Sequence, residues 1–215
     1  MTDVDSVAQT LQTAVQERVF PGAVLVVRRG GELVASYAVG ATTYGDDQQP
    51  VTLQTVYDLA SLTKPLATVT ALALLIQEGR LALDIPVSAV LDEFHNASVG
   101  PATLRQVLNH CAGLPAWRPY YEQVAQQDRT IPGFLGTEAA CAFVRDCIRR
   151  EALVRPIGAR SLYSDLGFMV LGRVVERIAG ESLASFTTRR IFSPNQAEPM
   201  GYVGMDGCWA HRPHE

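Results

Sequence analysis

The chain has 215 residues, 47% of them apolar and 19% charged, a balance typical of a globular protein able to bury a core. That length fits one large domain or two small ones. A formal net charge of −4, with no basic stripe, argues against nucleic acid as a partner.

Asp5 to Arg18 is predicted as a helix, because Val7, Leu11, Ala14 and Val15 form an apolar stripe at helical spacing. Pro21-Gly22 ends it. Ala23 to Val27 is β-branched and apolar, Gly30-Gly31 supplies a tight turn, and Glu32 to Val39 returns as the second strand of a hairpin. Gly40 to Pro50 is polar and loop-like. Ser61 to Gln77 is a mostly apolar helix, which marks it as a core element, with Gly79 at its C-terminal cap. Leu83 to Leu91 is expected to be a short helix, and Thr103 caps another through Leu108. Pro115 to Gly136 shows no clear period. Thr137 to Arg150, Asp165 to Ala179 and Ser182 to Ile191 complete the helices, with Gly180 closing the second and Ser182 capping the third. The order is helix, hairpin, buried helix and a mostly helical remainder, which is an α+β pattern.

Two features bear on location. The opening Met1-Thr2-Asp3-Val4-Asp5 is acidic where a secretory signal is basic, and no apolar stretch follows it, so a cytoplasmic location is expected. Pro65 to Ile76, the longest nearly apolar stretch, is too short to span a bilayer, and no membrane partner is expected. The four cysteines, Cys111, Cys141, Cys147 and Cys208, contain no C-x-x-C pair and are expected to be unreactive reduced thiols.

Chemistry concentrates at Ser61-Leu62-Thr63-Lys64. Residues three apart on a helix share a face, so this S-x-x-K spacing sets an amine beside a hydroxyl. A position at the start of a buried helix should lower the lysine pKa, and a neutral amine can take the serine proton. The Ser61 N–H is then placed to donate to a developing oxyanion. Lys64 is the only lysine in the chain; the other 17 cationic residues are arginines, which stay charged. With 10 serines available, a lone lysine falls three residues after one of them roughly one time in twenty. The bland alternative is a surface lysine in an arginine-biased chain, and the apolar run that follows argues against it. Pro65, which lacks an N–H, belongs in the first turn and so fixes Ser61 at the helix start. Tyr163-Ser164-Asp165, just before a helix, offers a second group: a tyrosine that can shuttle a proton if nearby cations lower its pKa, or a core tyrosine with Asp165 as a plain N-cap.

Ser61-Leu-Thr-Lys-Pro65, the loop Leu108-Asn-His-Cys-Ala-Gly-Leu-Pro115 and Tyr163-Ser-Asp-Leu-Gly-Phe-Met-Val-Leu-Gly172 together resemble the serine β-lactamase and penicillin-binding protein superfamily, and within it the class C-like branch of esterases and D-stereospecific peptidases. The resemblance covers residues 1 to about 192 in order. It implies a β-lactamase/transpeptidase-like fold and a serine hydrolase acting through an acyl-enzyme on an ester, amide or β-lactam. Ser61 would be acylated, Lys64 would be the base, and Tyr163 would match the tyrosine of a Y-x-N motif. Asp165 stands where that motif has Asn, which puts its role as a substrate-amide binder in question and leans the reading toward esters. His110 would be architectural. Trp117, Tyr120 and Tyr121 would line a substrate pocket or simply pack. Neither a metal nor another cofactor is implied, since this route needs neither.

The superfamily's third motif, K-T-G or H-x-G, is absent from the sequence. His211 and His214 are the only later histidines, and no glycine follows them suitably. Residues 193–215 have neither helical nor strand period. The expectation is a partial hydrolase domain over 1–192 and an irregular tail over 193–215, with the C-terminal sheet strands missing through truncation, by a frameshift near Pro194. A two-stranded sheet is marginal alone, so the expectation is a poorly stable monomer or one that self-associates through the open sheet edge. A remnant acting only as a binding module is the competing reading.

Overall fold

The structure, a computed structural model, describes residues 3–195, 197 and 200–202. Most of the tail, including His211 and His214, lies outside the described residues. Two compact units divide the chain after Leu59.

The first unit holds helix α1 (Asp3–Gln16) and the hairpin of β1 (Gly22–Arg29) and β2 (Glu32–Gly40). The strands are antiparallel, with Gly22 opposite Gly40 and Arg29 opposite Glu32, and a bulge interrupts the register between Val27 and Arg28. Gly30 and Gly31 have φ of 60° and 87°, and a two-residue turn with both residues in that region matches the twist of the strands it joins. Helix α1 packs on β2. It ends where Arg18 turns to φ 58°, placing its guanidinium 4.4 Å from the centre of the Tyr44 ring. Among the described residues the sheet has these two strands alone, and Val26, Leu33 and Val34 remain exposed on it.

The second unit begins with a continuous helical run of changing pitch. Ala60–Leu62 is a 3₁₀ turn, Lys64–Val69 is π-helical, and α2 (Thr70–Gln77) is regular. The sequence reading has one uninterrupted helix here. Pro65 has no N–H to give, and a locally widened pitch is one way a helix accommodates such a gap. The run Ala60–Gln77 is 18 residues, longer than Pro65 to Ile76, and long and apolar enough to cross a membrane by length and composition. The length argument made from the sequence is therefore corrected. Core helices pass the same test, and Ala71, Leu72 and Leu75 are sealed inside this unit.

Short 3₁₀ turns at Val87–Ala89 and Asp92–Phe94 stand where a helix over Leu83 to Leu91 is predicted. Pro86 instead bridges Thr103 in extended form. Then follow α3 (Leu104–Leu108), α4 (Tyr120–Thr130), α5 (Glu138–Arg149), α6 (Asp165–Ala179) and α7 (Leu183–Thr187), the last running into a π-helical turn over Thr188–Phe192. Thr103 and Gln106 form a reciprocal capping box on α3, and Thr137 and Ser182 cap α5 and α7. Helix α4 falls inside the segment read as aperiodic. Helix α6 is central. Its buried residues Leu166, Val170 and Val174 recur every four positions, as do Gly167, Leu171 and Val175, so two adjacent stripes face the core. It packs against α2, α3, α5 and α7. The α+β reading stands.

Candidate active site

Two segments far apart in sequence are stitched together by hydrogen bonds to make the site. The first is the loop after α3, where His110 (φ 57°) and Gly113 (φ 80°) reverse the chain. A Cβ at Gly113 would lie 2.2 Å from the Arg155 carbonyl oxygen, so no larger residue fits there. The second is Ser161–Asp165, leading into α6. The Leu162 N–H donates to the His110 carbonyl at 2.9 Å, the Ser161 hydroxyl to Asn109 O at 3.1 Å, and the Asp165 N–H to Ala116 O at 2.9 Å. His110 Nδ1 accepts the Ser164 N–H at 3.0 Å. Burial, and then the charge of Lys64, pushes the His110 pKa down, which keeps that nitrogen free to accept.

Ser164, not Asp165, is the N-cap of α6. Its buried Oγ donates to Pro115 O at 2.6 Å and accepts from the Gly167 N–H at 3.2 Å. This leaves the Asp165 carboxylate free to point elsewhere. It receives Lys64 Nζ at 2.6 Å.

Lys64 is the hub. Its amine donates to Ser61 Oγ at 3.2 Å as well as to Asp165. It lies 4.9 Å from the centre of the Tyr163 ring and 5.7 Å from that of Phe168, within cation–π range. Tyr163 is half exposed, open to a reacting molecule. The rings of Tyr163 and Phe168 flank His110 at centroid distances of 4.6 and 5.2 Å. Ser61 itself is exposed in the opening 3₁₀ turn, as Pro65 requires. Ala60, just before it, takes φ 44°, a left-handed conformation that side chains with a Cβ rarely adopt.

The electrostatics differ from the expectation of a lysine made neutral by burial. Burial does press on Lys64 most strongly, favouring the neutral amine. The Asp165 and Tyr163 hydrogen bonds and the Asp165 charge outweigh it, and the pKa ends above the usual 10.5. Tyr163 moves the other way, below its usual 10.0, because hydrogen bonds from Lys64 and then Ser61 stabilise the phenolate against a smaller opposing effect of burial.

The structure brings together Ser61, Lys64, Tyr163 and Asp165. Trp117 is half exposed next to Ala116, whose carbonyl holds Asp165, and its ring lies 6.3 Å from that of Tyr121, which is also exposed. Tyr120 does not join them. It is 5% exposed, and its hydroxyl donates to Glu151 at 2.8 Å, so it is a packing residue tying α4 to the segment after α5. His110 holds the Ser164 N–H, in line with the architectural role read for it, and Ser164 is the residue that sequence reasoning passed over; its signal is the pairing of the Asn-His-Cys-Ala-Gly loop with the Tyr-Ser-Asp turn. Cys111, Cys141 and Cys147 are free thiols, and no metal-binding cluster occurs among the described residues.

The chain is similar to an N-acetylmuramyl-L-alanine amidase of Bacillus subtilis, 32% identical over 81% of this chain and 41% of the relative. It is also 31% identical to esterase EstB of Burkholderia gladioli over 90% of this chain and 50% of that protein. Among solved structures, a class C β-lactamase from Rhodobacter sphaeroides superposes with a TM-score of 0.68 at 26% identity, over 98% of this chain and 58% of that one. The chain thus spans about half the length of the curated relatives it matches. The Beta-lactamase family matches residues 7–213, which take in the loop after α3, the Tyr163 turn and the Ser61 helix, and this chain belongs to that family.

Proposed function

We propose that this chain is a serine hydrolase that works through an acyl-enzyme at Ser61 on a small ester, amide or β-lactam. The observation that carries the reading is the convergence of Lys64 Nζ, 3.2 Å from Ser61 Oγ, with the Tyr163 ring, whose centre lies 4.9 Å from the same amine. A nucleophile and a proton-handling pair within hydrogen-bond reach are what acyl transfer needs. The Ser61 Oγ attacks the carbonyl carbon as its proton passes to the Lys64–Tyr163 pair. The carbonyl π electrons collect on oxygen, and the Ser61 N–H at the start of the helix stabilises that charge. The leaving group departs with the proton. Water then repeats the sequence on the acyl-enzyme, releasing the acid and restoring Ser61. Trp117 and Tyr121 offer an aromatic wall for an apolar acyl or leaving group.

The printed activities of the relatives, an esterase and an amidase among them, support the reaction class. Asp165 in place of a neutral amide favours esters. The second reading is a binding module without turnover. A fluorophosphonate probe and a p-nitrophenyl ester separate the two. Hydrolysis is expected to show a burst with the ester and labelling at Ser61, both abolished by Ser61→Ala. Equal labelling and turnover in Ser61→Ala would refute it.

A further inference from the structure

Trp117 lies between two anchored pairs of residues. On one side, Pro115 O accepts the Ser164 hydroxyl and Ala116 O accepts the Asp165 N–H, which fixes the segment to the start of α6. On the other, Arg118 Nε and the Tyr120 hydroxyl donate to one oxygen, Glu151 Oε1, at 3.2 and 2.8 Å. Tyr120 reaches that oxygen from the core. Burial, and then the Glu151 bond, pushes its hydroxyl well above the usual 10.0, so it stays a donor. The backbone around Glu151 is tied as well, by its own N–H to Ile148 O at 3.1 Å and by the Val154 N–H to Gly113 O at 2.9 Å. The Glu151 side chain is 15% exposed and that of Arg118 41%. The guanidinium then spends a second nitrogen: Nη1 donates to Trp117 O at 3.2 Å. One planar group thus joins a mostly covered carboxylate to the backbone of the tryptophan, a reach that its fixed fork of donors allows and a point charge does not.

We infer that Arg118 is a positioning residue: anchored on Glu151, it holds the Trp117 indole as a wall beside the Tyr163 turn and so sets a preference of the site for substrates with a large apolar group. The inference deepens the hydrolase reading and rests on it for its consequence, though not for the hold on Trp117 itself. Without the guanidinium, Trp117 O loses the Arg118 donor and the chain between Ala116 and Tyr120 gains freedom. A large apolar group that meets the indole must then order that stretch as it binds, and the ordering weakens the contact. A substrate too small to reach the indole does not meet this cost. The Arg118–Glu151 pair is partly open to water, and such pairs add little to global stability. Its effect is therefore on where Trp117 sits rather than on whether the chain folds.

Arg118→Met tests this in the full-length chain. It removes both guanidinium bonds, keeps an unbranched side chain, and leaves Glu151 its Tyr120 donor, so no buried group is stranded. Esters are compared in matched pairs: p-nitrophenyl hexanoate against acetate for the acyl side, and 2-naphthyl against phenyl acetate for the leaving side. In at least one pair the kcat/KM preference for the larger ester should fall by about three- to tenfold, the range of an aromatic contact, with the loss in KM rather than kcat. Trp117→Ala should lose the same preference, and the double variant should lose no more than Trp117→Ala does, because the two residues act as one. The second readout needs no substrate. The chain has two tryptophans, so in a Trp209→Phe background the fluorescence is that of Trp117 alone. Its quenching by acrylamide should rise in Arg118→Met. Equal quenching with and without Arg118 overturns the inference. So does an unchanged preference in both pairs, or a loss of rate shared equally by the two members of each pair. Failure of the hydrolase reading is seen separately, as no ester turnover in the parent, and the hold on Trp117 is then decided by quenching alone.

Discussion

Replacing Ser164 by alanine removes one oxygen that serves two partners. Its Oγ caps α6 through the Gly167 N–H, and loss of such a cap costs about 1 kcal/mol. The same hydroxyl donates to Pro115 O at 2.6 Å in a position where Ser164 is 4% exposed. Stranding a buried carbonyl adds about 1–3 kcal/mol, so Ser164→Ala should destabilise the chain by about 2–4 kcal/mol in total. Ser182 is the internal control, for it caps α7 with a single bond to the Ser185 N–H and is exposed. Ser182→Ala should cost no more than about 1 kcal/mol. Urea unfolding with both variants, at an unchanged slope, measures the difference directly. A gap between them below about 0.5 kcal/mol would mean that the Pro115 contact contributes nothing net, and the stitching of the two site segments would need another explanation.

Tyr163→Phe should slow Ser61 labelling by about 10²–10⁴-fold, as loss of a proton-transfer group does. In the parent, labelling should rise with pH toward a Tyr163 midpoint below 10.0, since the phenolate is the active form and its pKa is lowered; this limb should vanish in Tyr163→Phe. A stopped-flow profile of labelling against pH checks both. Leu171→Ala, at a side chain with no exposure in the middle of α6, should cost about 2–5 kcal/mol. Met169→Ala, two residues away but half exposed, should change stability by less than about 0.5 kcal/mol, and thermal unfolding of the pair tests which face of α6 is the core face. Tyr120→Phe should cost about 1–3 kcal/mol by removing a donor from the Glu151 carboxylate, while leaving Ser61 labelling unchanged; slower labelling would return Tyr120 to the site.

The parts of the fold that show in the sequence are those decided by neighbours in the chain. Gly30-Gly31 announces the hairpin because both residues need positive φ, and Thr103, Thr137 and Ser182 announce helix starts because a capping oxygen acts within three residues. Helix α6 shows because it buries two full stripes. Helix α4 buries only Tyr120 and Val124, one pair four apart, too little to raise a periodic signal above its polar face. Leu83 to Leu91 has the composition of a helix, but Pro86 pairs in extended form with Thr103, a partner no local window contains. The site divides the same way. The Ser61–Lys64 pair follows from spacing on one turn, and Ser61 sits at the helix start as Pro65 demands. The charge state of Lys64 does not follow, because the carboxylate that governs it arrives from a different helix. The choice between Ser164 and Asp165 as cap is equally hidden: both are good capping residues, and the Pro115 carbonyl decides between them.

The ion pair at the centre of the site joins residues 101 positions apart, and the Ser164–Pro115 bond spans 49. Contacts of such separation form only after the intervening chain has been ordered, since the entropy of closing the loop is met before the contact gives anything back. No excised helix or hairpin can therefore carry the catalytic arrangement, however faithfully it folds by itself. A probe that reacts at Ser61 doubles as a conformational reporter: its yield measures the fraction of molecules in which α2, α6 and the loop between them have reached their final packing, and a chaperone or ligand that raises the yield acts on folding of that whole unit.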